Sequence, residues 1–148
     1  MTESAPAAQQ RIVVGADGSA ASVDALRWAA RQAEVTGAVL EAVICWQYPM
    51  VFGGAPVLAE IDWLADARTA LDAAVQGALG ERASSVTQRA VEGHPARVLL
   101  DESAGADLLV VGSRGHGGFA GMLLGSISEH VVAHARCPVV VVHHPDQG

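Results

Sequence analysis

Hydrophobic positions along the chain fall into two alternating kinds of segment. Short continuous apolar runs occupy residues 11–16 (RIVVGA), 39–46 (VLEAVICW), 107–112 (DLLVVG) and 138–142 (PVVVV). They are rich in Val, Ile and Leu and are bounded by Gly, Asp or Pro, so they predict strands, buried ones at 11–16 and 107–112 and a final one at 138–142. Residues 86–91 alternate apolar with polar, the pattern of an edge strand. Between these runs the spacing becomes helical. Val23, Leu26, Ala30 and Ala33 share one face, with Arg27 and Arg31 between them, and Gly37 is the stop. Ser19 or Ser22 is suited to cap that helix. Residues 47–56 have the Pro/Gly content of a loop. Residues 58–79 carry a broad apolar face of Ile61, Leu64, Leu71, Val75 and Leu79, closed by Gly80. Pro95 suits the first turn of a short helix ending near Gly105, and a last helix is predicted over residues 124–135.

The resulting order, β-α-β-α-β-α-β-α-β, predicts an α/β fold with a parallel sheet covered on both faces. Right-handed crossovers leave few topologies for it. Two strands end in ligand-like loops, one in Asp17-Gly18-Ser19 and the other in Gly112-Ser113-Arg114-Gly115. A doubly wound sheet binds ligands beyond the carboxyl ends of its strands, where the winding reverses. Making these two strands neighbours gives an open five-stranded sheet of order 3-2-1-4-5, with both loops facing one crevice. We expect one domain over residues 11–142, a disordered tail over 1–10 and a polar tail over 143–148, with no internal repeat.

Composition narrows the function. A chain of 148 residues, 51 % of them hydrophobic, has enough apolar surface for one core and excludes general disorder. A net charge of -7 argues against a nucleic-acid binder. All nine basic residues are arginine; the chain contains no lysine, which excludes a Walker A loop and Schiff-base chemistry. Cys45 and Cys137 lie beside or within apolar runs and read as small packing groups, not as a metal or disulfide pattern. No apolar run approaches the roughly 20 residues that span a bilayer. The polar start lacks the features of a signal peptide. A cytoplasmic protein without a membrane contact is expected.

The densest chemistry is the glycine loop. Glycine lets the backbone approach a ligand closely and adopt positive φ, and its amides can cradle an oxyanion. Gly125-Ser126 then opens a helix, whose free amides and dipole favour phosphate. The spacing G-x2-G-x9-G-[S/T] is met by Gly112, Gly115, Gly125 and Ser126. With the VVGADGS opening, the WAARQA helix, DLLVVGSRGHGG and the CPVVVV ending, it resembles the universal stress protein family, in particular its actinobacterial members. The likeness runs from about Arg11 to Val142.

The resemblance implies a Rossmann-like fold of the adenine nucleotide alpha hydrolase kind, and a homodimeric ATP-binding regulator of stress or dormancy. It implies that Asp17 bonds the ribose hydroxyls, that Gly15 and Ala16 line the nucleotide floor, and that Val43 meets adenine through its backbone. Gly112 and Gly115 would wrap the ribose and α-phosphate; Ser113, Gly117 and Gly118 of the same loop are further nucleotide-binding candidates, and His116 either touches a phosphate or is a solvent-facing turn residue. Gly125, Ser126, Ile127 and Ser128 would serve the β- and γ-phosphates. Arg114 either lies over the phosphates or is a solvated loop cation. Some relatives carry arginine where Met122 stands here. Arg114 is then the one cation within the loop sequence, so micromolar or weaker affinity is expected, with Mg2+ screening the phosphates.

Other constellations carry less. His130 and His134 share a helix face, but Glu129 precedes His130 and no HExxH is formed. His143, His144 and Asp146 read as a polar tail. Ser19 has no GxSxG elbow around it. Trp28, Trp46 and Trp63 read as packing groups. No base is placed to activate water, so an enzyme reading reaches at most a slow ATPase; a dimeric scaffold without nucleotide is the other alternative. The apolar last strand, residues 138–142, would be an outer strand, and is expected to pair with its twin in the homodimer. A further protein partner is left open.

Overall fold

The computed structural model describes residues 9–48, 62–114 and 124–145. Strands β1 (Arg11–Gly15), β2 (Val39–Trp46), β3 (Val86–Glu92), β4 (Leu108–Gly112) and β5 (Val139–Val142) alternate with helices α1 (Ala20–Thr36), α2 (Trp63–Leu79), α3 (Pro95–Glu102) and α4 (Ser126–His134). The strands form one sheet of order β3-β2-β1-β4-β5, the order expected from the two loops. Every pairing is parallel.

The sheet separates two apolar layers because successive strand side chains point to opposite faces. Val14, Ala42 and Val110 meet α1 and α2 through Leu26, Ala29, Leu71 and Val75. Val13, Val43 and Leu109 meet α3 and α4 through Leu99 and Val131. Val13, Val14, Val43, Leu71 and Val110 are almost wholly sealed from solvent. Full burial of each such side chain stabilises by roughly 1.5–3 kcal/mol, so both layers favour the fold strongly.

Local chemistry sets the element ends. Ser19 caps α1 by accepting from the Ser22 amide, and Gly37, at φ 74°, closes it. Asp62 caps α2 by accepting from the Ala65 amide at 2.9 Å. The predicted first residues of that helix, 58–61, lie outside the described residues, as do the predicted loop from 49 onward and most of the amino-terminal tail. Gly80 ends α2 as predicted, but the chain continues as a 3-10 turn over Gly80–Ser85 that buries Ala83 before β3 begins. Helix α4 starts at Ser126, two residues later than its apolar spacing predicts.

At the amino end of the sheet, Arg11 ties three elements together. Its guanidinium donates to Glu41 at 2.9 Å, to the Glu102 carbonyl at 3.1 Å and to the Ala104 carbonyl at 2.9 Å. Its backbone N–H donates to the Asp107 carboxylate at 2.8 Å. These bonds close this end of the sheet. No helix among the described residues is long and apolar enough to cross a membrane.

Candidate nucleotide site

The two expected loops lie together at the carboxyl ends of β1 and β4. After Gly15 the chain turns at Gly18, whose φ of 82° suits glycine. One Asp17 carboxylate oxygen accepts from the Ser19 amide at 2.9 Å. That bond fixes the side chain at the turn, and Asp17 remains exposed. The Asp17 amide donates to Ser22 Oγ at 3.3 Å, and Ser22 Oγ donates to the Ser19 carbonyl at 3.0 Å. The carboxylate is thus aimed by two serines of the α1 entrance and keeps acceptor capacity for an outside donor.

Gly112 ends β4 beneath that entrance. A Cβ there would lie 2.8 Å from the backbone carbon and the Cβ of Ala21, and 2.9 Å from the Ser22 nitrogen. The glycine is demanded by the fold, because the first turn of α1 rests on it. Gly15 is less constrained: an added Cβ would meet the movable Leu99 side chain at 3.1 Å. Ala16 is buried beside it.

Backbone bonds then bring α4 to the same place. The Ser113 amide donates to the Val142 carbonyl at 2.8 Å, and the Gly125 amide donates to the Ser113 carbonyl at 2.7 Å. Gly125 is the N-cap of α4 and provides no side-chain cap. The amides of Ser126, Ile127 and Ser128 therefore begin the helix with no acceptor among the described residues. The Ser126 side chain is exposed, whereas Ser128 is buried and donates to the Gly112 carbonyl at 2.6 Å. Arg114 is half-buried at the end of the described stretch; Gly115, His116, Gly117, Gly118 and Met122 lie outside the described residues.

Along β2 the structure separates Val43 from Cys45 by the backbone groups each leaves open. Val43 is fully buried, and its carbonyl already accepts from the Ala16 amide at 2.8 Å. In contrast, the Trp46 carbonyl accepts from Gly93 on the β3 side. Alternation along the strand therefore turns the backbone groups of Cys45 toward β1. By then β1 has ended, and the Cys45 amide and carbonyl meet no backbone partner among the described residues. Counting strand phase against the end of the neighbouring strand is the signal that separates Cys45 from Val43. The Cys45 thiol approaches the Pro95 carbonyl at 3.8 Å. Burial, then the negative charges of Glu102 and Asp17, push that thiol up from 9.0 to about 12.

The remaining candidates do not gather here. The His130 and His134 rings lie 4.5 Å apart, tilted by 42°, on an exposed stretch of α4. Among the described residues no group of three His, Cys, Asp or Glu side chains is placed to hold a metal ion. His144 Nδ1 lies 2.6 Å from Asp24, pinning the segment after β5 to α1. Trp28, on α1, packs partly buried against the core, and Trp46 makes an edge contact with Tyr48 at 5.0 Å.

The universal stress protein family pattern matches residues 9–143. A universal stress protein of Mycolicibacterium smegmatis is 36 % identical over 154 residues, covering 95 % of this chain and 50 % of the relative. One from Mycobacterium tuberculosis is 39 % identical over 137 residues, covering 90 % of this chain and 45 % of the relative. The chain thus spans about half the length of these curated relatives. Among solved structures, a universal stress protein from Lactobacillus plantarum superposes with a TM-score of 0.77 at 27 % identity, covering 93 % of this chain and 99 % of that one. A universal stress protein in complex with cAMP superposes at 0.68 and 31 % identity, covering 92 % and 98 %. By sequence along almost its whole described length, and by fold, the chain belongs to the universal stress protein family.

Proposed function

We propose that this domain binds ATP in the crevice between the β1 and β4 loops and acts as a nucleotide-dependent regulator of stress or dormancy, as a cytoplasmic homodimer. The observation that carries the reading is the uncapped first turn of α4, tethered beside β4 next to the exposed Asp17 carboxylate. Free amides and the helix dipole favour the distal phosphates, and a carboxylate suits two vicinal ribose hydroxyls. Cys45, rather than Val43, presents backbone groups to the base. Gly112, Ser113 and Arg114 lead into the loop that wraps the ribose and α-phosphate, with Gly15 and Ala16 beneath. The cAMP-bound relative supports an adenine nucleotide of this general class.

Affinity rests on amides and hydroxyls, since the chain has no lysine. Mg2+ would be held mainly by the phosphates themselves and would screen their charge. The output we infer is a conformation or a contact with another protein. Calorimetric titration with ATP, AMP and cAMP tests the reading, together with mass analysis of ligand released from purified protein. Micromolar or weaker ATP binding strengthened by Mg2+, and lost in Asp17→Glu and Gly115→Ala, is the expected result. Nanomolar binding without Mg2+ contradicts the electrostatic reasoning. Preference for cAMP over ATP would favour a cyclic-nucleotide sensor.

A homodimer through residues 138–142 fits the contrast between the two sheet edges. Edge strand β3 exposes Thr87, Arg89 and Glu92, which discourage pairing. The opposite edge strand, β5, is four valines, all half-buried.

A further inference from the structure

We propose that Ser128 is a positioning residue for the distal phosphates, acting through the Gly112 carbonyl instead of offering its hydroxyl to the ligand. The inference rests on the nucleotide reading above and changes the role of one residue within it.

Strand phase explains why that carbonyl needs a partner. The Leu109 and Ser113 amides both donate toward β5, to Pro138 and Val142. Residues between them in alternate phase, including Gly112, therefore face β1. The β1–β4 pairing ends at Val14 with Val110, so two residues further on Gly112 lies opposite Ala16, past the end of β1. Continuing the ladder would bring the Asp17 amide to the Gly112 carbonyl. That amide instead turns to Ser22 Oγ. The Gly112 carbonyl is an acceptor left over where β1 diverges, and the Ser128 hydroxyl takes it at 2.6 Å. A carbonyl deprived of partners at such a partly buried place is costly, so the bond is strongly held.

The bond also fixes the ligand-facing amides. Ser128 is the third residue of α4, 5 % exposed, and lies in the turn whose amides are uncapped. With the Gly125–Ser113 bond at 2.7 Å, it makes a two-point attachment of the helix start to the end of β4. The Gly112 anchor cannot retreat toward α1, because Ala21 already occupies the space its side chain would need. The amides of Ser126, Ile127 and Ser128 are therefore held in register with the loop that carries Asp17. A hydroxyl committed in this way leaves exposed Ser126 as the hydroxyl available to a phosphate.

The test is the ratio of ATP to AMP affinity, measured by calorimetry with Mg2+ on wild-type protein, Ser128→Ala and Ser128→Thr. General damage to the fold weakens both nucleotides alike, whereas misplacement of the α4 amides acts only on the distal phosphates. Ser128→Ala is expected to lose about tenfold in ATP affinity, the worth of one well-placed hydrogen bond, with AMP changed less than about twofold. Ser128→Thr, which keeps the hydroxyl, is expected to restore the ratio. An unchanged ratio in Ser128→Ala, with wild-type protein binding normally, overturns the proposal alone. Wild-type protein that binds neither nucleotide overturns the nucleotide reading, and this proposal with it.

Discussion

Several residues at the crevice are decided by what they touch. Gly112 belongs to a spacing motif, yet its missing side chain is required by the backbone of Ala21. Gly112→Ala should therefore destabilise the protein by about 1–3 kcal/mol even without ligand, as overpacking does, and lower the melting temperature in scanning calorimetry. Cys45 reads as a small buried packing group from its apolar run; in the fold it packs against the core but is only half-buried, because it lies past the end of β1. Its thiol, held up to about 12, stays protonated in the folded chain after an unfolded thiol at 9.0 has lost its proton. The folded state then binds more protons in that window, so stability falls as pH rises from about 9 toward 12. Denaturant titrations at pH 8 and pH 11 should show a larger loss for wild-type protein than for Cys45→Ala. The Ser128 contact was not legible in the sequence. Residues 112 and 128 bracket one short segment, but nothing in their spacing reports that β1 stops before it can pair with the Gly112 carbonyl.

Elements were more legible, because periodicity reflects the environment of a whole segment. Three of the continuous Val/Leu runs are the central strands β1, β2 and β4, the fourth is the half-buried edge strand β5, and the alternating run at 86–91 is the other edge strand. Ser19 has the residue type for a cap and performs it. The 3-10 turn after α2 escaped pattern reading: GERASS buries only Ala83, too little apolar signal for either period. The Arg11 cluster escaped as well, since its guanidinium joins β1 to Glu41 on β2 and to the end of α3. Arg11→Met would leave the partly buried Glu41 carboxylate and two carbonyls without that donor. We expect a loss of about 2–3 kcal/mol, read as a lower denaturation midpoint with an unchanged slope.

At the scale of the molecule, the two sheet edges set the expected assembly. Pro138 and Val142 turn their carbonyls inward to β4, so Val139 and Val141 present theirs outward. Val140 and Val142 pack their side chains beside α1, and a charge placed on either would damage the core as well as any interface. Val141→Pro is the cleaner probe, because it removes an outward N–H from an edge strand while leaving the inner ladder intact. Light scattering should show a dimer for wild-type protein and a shift toward monomer for the variant. A variant dimer as tight as wild type would place the interface elsewhere.

Sequence alone determined the alternation of strands and helices, the sheet order and the neighbouring carboxyl ends of β1 and β4. These follow from local burial, turn chemistry and the handedness of parallel connections, all of which leave a periodic trace. The motif spacing identified the family for the same reason: it lies in one contiguous segment. Tertiary structure decided which polar groups remain available. It placed Val43 inside the ladder and Cys45 beyond it, committed the Ser128 hydroxyl to Gly112, and filled the space above Gly112 with Ala21. Availability depends on where neighbouring strands stop and on contacts between distant residues, and those are properties of the packed chain.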